Sequence, residues 1–245
     1  MTELIIFFVG IASGFLGATV GGGGFISIPA LLWLGFTPQS AIALNKVGDI
    51  GTFISAVKQY WGSKKIDWKM AIPLVAVYII GSVVGTQIMV LLSVDFLEFL
   101  ILITILLAAP LVVINKKLGI KKIKTSRTKK IIGWFIFFLL AIDGAAIGAG
   151  GAAMSTLVMM YFFGYEIVKG HATSTPSKFF SAVIPAIIYS FYGFVYLLPA
   201  IAIFLGMLIG GFFGANMAID KGNRWVKILF TIVMVVFVIK LVIFN

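Results

Sequence analysis

Val20-Gly21-Gly22-Gly23-Gly24 and Ile147-Gly148-Ala149-Gly150-Gly151 interrupt two otherwise apolar stretches of one chain, with Gly21 and Gly148 lying 127 positions apart. An unpaired backbone N–H or C=O in lipid costs several kcal/mol, so a broken helix persists only where protein or a water-filled cavity shields it. Two such breaks at matching places in two halves point to a solute site between repeats. The pattern predicts a small membrane transporter.

Composition supports this. The chain is 61% hydrophobic and 11% charged, whereas a soluble domain carries about a quarter charged residues. The net charge of +11 does not indicate nucleic acid, because eight of the nineteen basic residues fall between Lys116 and Lys130, in a gap between apolar runs. Such a stretch marks a cytoplasmic loop and lies where it can also touch anionic lipid headgroups. The acidic start Met1-Thr2-Glu3, with no small-residue cleavage site after the first run, argues against a cleaved signal peptide. The absence of cysteine excludes disulfides and thiolate metal sites.

Apolar runs fall at roughly 4–20, 24–36, 39–61, 69–92 and 96–114, then 131–147, 151–163, 167–192, 196–219 and 225–244. Most approach the ~20 residues a spanning helix needs. The second run of each half is too short to cross alone, which predicts a half-helix or re-entrant element. Trp61, Trp68, Trp134 and Trp225 sit at run ends, as interfacial tryptophans do. The domains expected are an N-terminal membrane repeat (1–114), a basic cytoplasmic linker (115–130) and a C-terminal membrane repeat (131–245).

The halves align at an offset of 127 near the glycines and 129 farther along, pairing Gly35 with Gly164, Tyr60 with Tyr189, Gly81 with Gly210 and Gly85 with Gly214. The repeated unit is about 115 residues. Equivalent loops exchange their basic character. Lys64, Lys65 and Lys69 follow the third run of the first half, where the second half carries no charge between Gly193 and Leu198. Asp95 and Glu98 follow the fourth run, where the second half has Lys221, Arg224 and Lys227. This swap predicts an all-α polytopic membrane protein of two inverted repeats, each with four to five membrane segments. Both termini then lie outside, with Lys240 snorkelling.

Candidate site residues follow from the same logic. Gly81-x-x-x-Gly85 and Gly210-x-x-x-Gly214 have the spacing of helix-packing faces. Consecutive glycines instead free the backbone. A helix beginning just after them presents amide N–H groups carrying about half a positive charge, which attract anions. Gly21, Gly22, Gly23, Gly24, Gly148, Gly150 and Gly151 are therefore expected to bind a small anionic substrate. Charges in the membrane are expensive and usually functional. Lys46 is the expected counter-charge, with Asn45, Ser174 and Thr175 as hydrogen-bond donors. Asp49 stands to Lys46 as an ion-pair partner or a coupling group, opposite Lys178 at offset 129. Asp143 either couples an ion or neutralises a lysine of the other half. His171, the sole histidine, is expected at the interface beside Glu166 and Lys169, and Lys58 snorkels beside Tyr60 and Trp61. No catalytic constellation, resident cofactor or metal site stands out. A hydrolase using Ser174 and His171 is disfavoured, because residues three apart on one helix make a poor base–nucleophile pair.

The chain resembles the TauE/SafE sulfite exporter family of membrane proteins. The resemblance rests on GFLGATVGGGGFISIP (Gly14–Pro29), Ala43-Leu44-Asn45-Lys46, Ile66-Asp67-Trp68, and the paired Gly-x-x-x-Gly motifs. It implies outward transport of sulfite, sulfonates or related small anions across the cytoplasmic membrane. The second half departs from it, since Ala149 dilutes the glycines and no proline follows them. The rival expectation is a cation- or proton-coupled carrier of another solute using Asp49 and Asp143. Oligomeric state, including a homodimer, is left open by the sequence.

Overall fold

The computed structural model describes residues 1–93, 96, 118–148 and 150–243, without the side chains of 233–243. The fifth apolar run, Asp95, Glu98, Ala149, the 114/115 boundary and the Lys240 side chain lie outside the described residues. Among the described residues the protein is all-helical. Its helices are α1 Thr2–Val20, α2 Gly24–Trp33, α3 Pro38–Gly62, α4 Trp68–Leu91, α5 Arg127–Ala146, α6 Gly151–Tyr161, α7 Ile167–Phe191 and α8 Leu197–Ile243. The last is two helices joined at Gly222, whose φ of 72° leaves the helical region. Among the described residues three helices are long and apolar enough to span a bilayer, namely Thr2–Val20, Trp68–Leu91 and Leu197–Ile232, while α2 and α6 are short apolar helices. Large apolar side chains such as Phe8, Ile72, Phe135 and Phe213 face outward, as a lipid-contacting surface requires.

The helix ends have local causes. Thr37 caps α3 by accepting from Ser40 N at 3.3 Å, with Pro38 in the first turn, where its missing N–H is harmless. Ser126 caps α5 by accepting from Lys129 N, so the helix starts at Arg127, four residues inside the expected linker. Both breaks occur where the glycines stand. α1 stops at Val20 with Gly21 left-handed at φ 86°, and α5 stops at Ala146 with Gly148 left-handed at φ 80°.

Several features recur at the sequence offsets. α3 and α7 both run 25 residues, their first residues 38 and 167 lying 129 apart. The Tyr60 hydroxyl donates to Ala18 O at 2.7 Å, and the Tyr189 hydroxyl donates to Ala145 O at 2.8 Å. Gly21 N is bonded to Leu16 O, and Gly148 N to Asp143 O. α1 packs along α8 as α5 packs along α4, and α3 meets α7 between them. The Gly-x-x-x-Gly faces sit at these crossings. A Cβ on Gly85 would strike the backbone of Ile142, and one on Gly214 the backbone of Phe15, so only glycine permits the approach.

The polar loops gather at one end. Tyr165 donates to Asp67 at 2.8 Å, and Asp67 N to Thr173 Oγ1 at 3.1 Å. Burial first, and then the Asp67 carboxylate, push the Tyr165 hydroxyl above its ordinary pKa. Ile123 N bonds to Gly164 O, and Lys227 Nζ donates to Leu118 O at 2.7 Å. The stretch from Leu118 to Ile123, the Asp67 turn and the Lys227 segment therefore share one face. At the opposite end Phe36 meets Tyr196 with ring centroids 5.9 Å apart. Phe36 and Tyr196 are the residues that pair, at offset 129, with Tyr165 and Asp67.

Candidate functional site

The two helix breaks meet in the interior. A Cβ on Gly21 would lie 2.6 Å from the Ala152 carbonyl carbon and 2.7 Å from Ala153 N, so the end of α1 abuts the start of α6. A Cβ on Gly148 would overlap the Lys46 ammonium. Helices from the two ends of the chain thus contribute to one centre.

That centre is a cavity of about 20 Å³ lined by Lys46, Asp49, Phe53, Tyr78, Leu140, Gly144, Gly148, Gly151, Ala152, Ser155, Lys178 and Ser181. It has room for about one water molecule. Lys46 and Lys178 are only 2% and 3% exposed, a burial that charged side chains tolerate only with compensation. Lys46 Nζ donates to Gly144 O, a carbonyl near the end of α5. Asp49 and Asp143 both act electrostatically on Lys46. Asp49 Oδ2 accepts from Asn45 Nδ2 at 3.0 Å, and Asn45 Oδ1 accepts from Ser27 Oγ at 2.5 Å. This relay fixes α2 to α3 and orients the carboxylate. Asp143 reaches the start of α6, its Oδ2 3.3 Å from where a Cβ on Gly151 would stand. A carboxylate there complements the positive end of the helix.

The sequence-derived residues are distributed unequally. Lys46, Asp49, Lys178, Gly148 and Gly151 share the cavity wall, and Asn45 supports it from behind. Gly21, Gly22, Gly23 and Gly24 are buried outside the lining, where Gly23 O accepts from Ser13 Oγ at 2.7 Å. Gly150, left-handed at φ 81°, is the N-cap of α6. Ser174 and Thr175 are buried and donate to His171 O on their own helix, at 3.0 and 2.8 Å. Lys178, one turn on, reaches the cavity instead.

His171, expected at the interface beside Glu166 and Lys169, is fully enclosed by protein. Its Nδ1 lies 2.9 Å from Thr156 Oγ1 and 3.3 Å from Lys178 Nζ, and Nε2 has no hydrogen-bond partner among the described residues. Tyr78, whose hydroxyl is 2.5 Å from Ser155 Oγ, also lines the cavity, and so does Phe53. Neither was singled out in the sequence. A tyrosine inside an apolar run was a polar signal open to notice, whereas Phe53 carried none.

The arrangement brings two buried lysines, the Asp49 and Asp143 carboxylates that act on Lys46, and the amide end of α6 to or beside one small space.

Known proteins with a similar sequence are described as probable membrane transporters. The family profile described as Sulfite exporter TauE/SafE matches residues 6–241. A Probable membrane transporter protein of Haemophilus influenzae is 24% identical, covering 91% of this chain and 88% of its own. Probable membrane transporter protein YfcA of Escherichia coli K12 is also 24% identical, at 97% and 88% coverage. Probable membrane transporter protein YunE of Bacillus subtilis is 27% identical, at 96% and 95%. No solved structure matches.

Proposed function

The chain belongs to the sulfite exporter TauE/SafE family, and from that premise we propose that it is a secondary transporter of small sulfur-containing anions (sulfite, sulfonates or similar), moving them outward across the cytoplasmic membrane. The observation that carries this is the buried pair Lys46 and Lys178 facing one cavity beside the start of α6. An entering oxyanion replaces the Gly144 carbonyl and the carboxylates as partner of the ammonium groups. The first-turn amides of α6 add donors in the manner of helix N-termini. Asp49 and Asp143 then act as resident counter-charges, which favours the anion over the cation-coupled alternative.

The cavity admits only about one water, so this conformation is closed around the site. Two inverted repeats, comprising 1–114 and 131–245, would open it to one side and then the other by rocking. The paired tyrosine bonds, the reciprocal packing of α1 with α8 and α5 with α4, and the basic segments on one face support that arrangement. In it the 115–130 linker is cytoplasmic and both termini are outside.

The test is radiolabelled sulfite and sulfonate efflux from proteoliposomes, comparing Lys46→Ala with the parent. We expect flux at least tenfold lower, the loss of a charge-assisted hydrogen bond of about 1.5–3 kcal/mol. Undiminished flux in the variant removes Lys46 from the mechanism.

A further inference from the structure

Beside the charged cavity lies a much larger groove of about 720 Å³ between α3, α4 and α7. Its inner wall is Phe53, Phe179 and Phe180, and its outer rim is Lys58, Trp61 and Trp68. Trp61 and Trp68 touch edge to face at 5.4 Å, next to the turn carrying Lys64 and Lys65. Phe53 belongs to both spaces, lining the groove and the cavity, and is 4% exposed. One phenyl ring thus stands between a wide opening on the Lys64 face and the Lys46–Lys178 centre.

The matching positions in the other half are packed differently. Gly48 and Gly51 of α3 correspond, at offset 129, to Ser177 and Phe180 of α7. The glycines let α8 close onto α3, where a Cβ on Gly51 would come within 2.6 Å of Phe204 O and one on Gly48 would strike Met207. On α7 the corresponding Phe180 lines the groove instead. Val75 on α4 lines that groove, where its counterpart on α8 is the larger Phe204. Phe53 itself corresponds to Ala182, which has no ring to interpose.

We propose that this groove is the access route by which the anion reaches the cavity from the Lys64 face, with Phe53 as the door and Lys58 as the charge at the mouth. The claim rests on the cavity being the solute site. Transport then requires Phe53 to swing aside, and the α3–α8 seam to part when the groove closes.

The chain contains no cysteine, so an introduced thiol is the sole target of a membrane-impermeant methanethiosulfonate reagent. Ser181→Cys places one on the cavity wall, and Lys64→Cys marks the groove face. In sealed vesicles of defined orientation we expect both to be modified from the same side. Because the rate scales with the fraction of molecules whose door is open, Phe53→Ala should speed modification of Ser181→Cys about tenfold. Phe53→Leu should speed it less, and Phe53→Trp should slow it. Modification from the opposite side overturns the inference, as does a rate indifferent to residue 53. Absence of modification even with Phe53→Ala, as when a lipid chain fills the groove, overturns it too. Sulfite flux is read separately: labelling as expected with no flux of any sulfur anion leaves the access route standing and rejects the transport reading.

Discussion

The two glycine breaks look like copies but do different work. The first, with four consecutive glycines, is packed solid: Gly21 abuts the backbone of Ala152 and Ala153, and Gly23 lies against Ser13. The second, diluted by alanine, borders the small cavity, with Gly148 and Gly151 on its wall and the Lys46 side chain reaching over Gly148. Glycine thus serves backbone contact in one break and borders a cavity beside a lysine in the other. The richer glycine string is the buttress, and the poorer one is the lip of the cavity.

Substitutions can break that contrast or sharpen it. The largest effect should come from Gly21→Ala. A left-handed alanine costs about 1–2 kcal/mol, and its Cβ would also meet backbone that cannot rotate away. We expect a stability loss above ~2 kcal/mol in detergent unfolding, with little folded protein recovered. Gly148→Ala carries the same left-handed penalty, but its Cβ meets the end of a lysine that can move. It should retain more stability than Gly21→Ala while losing anion flux at least as severely. If both variants lose stability equally, the division between buttress and lip is wrong.

Lys178→Met tests the site from the second half. We expect flux to fall about tenfold or more, comparable to Lys46→Ala, for the same loss of one charged donor. A variant that transports normally would leave Lys46 as the single counter-charge.

The tyrosine pair should behave alike where the breaks do not. Tyr60→Phe and Tyr189→Phe each remove one buried hydrogen bond to the first helix of their half, worth about 1 kcal/mol. We expect stability losses within ~0.5 kcal/mol of each other, additive in the double variant because the sites are separate. Unequal losses would show that the halves diverge even at this shared joint. The smallest effect should be that of Tyr165→Phe, about 0.5–1 kcal/mol, since the residue is only partly buried. Because the Tyr165 pKa is raised, its hydroxyl stays protonated and the bond to Asp67 should persist unchanged across roughly pH 6 to 9, where a free tyrosine also keeps its proton.

Much of this molecule was legible in the residues. Runs of about 20 apolar residues announce spanning helices, and consecutive glycines announce their interruption. Those signals are local, and the breaks fall at Gly21 and Gly148 as expected. Lys46, Asp49 and Lys178 stood out because charge in an apolar run is expensive wherever the run ends up. Where Ser174 and Thr175 would point was not legible, since a hydroxyl in a helix can satisfy itself on the carbonyl a turn earlier, as both do here. The enclosure of His171 was not legible, because it depends on how α7 packs against its neighbours.

What the chain alone determined is therefore the inventory: an all-helical apolar chain, where its helices break, which polar groups must be shielded, and a family. What tertiary structure decided is the assignment of those groups to places. Lys46 meets Gly148 across 102 positions of sequence (148 − 46), Phe53 separates two spaces, and one glycine break faces a cavity while its twin faces backbone. Propensity and hydropathy act over a few residues, but close packing couples residues from distant segments, and no local pattern records which surfaces will touch.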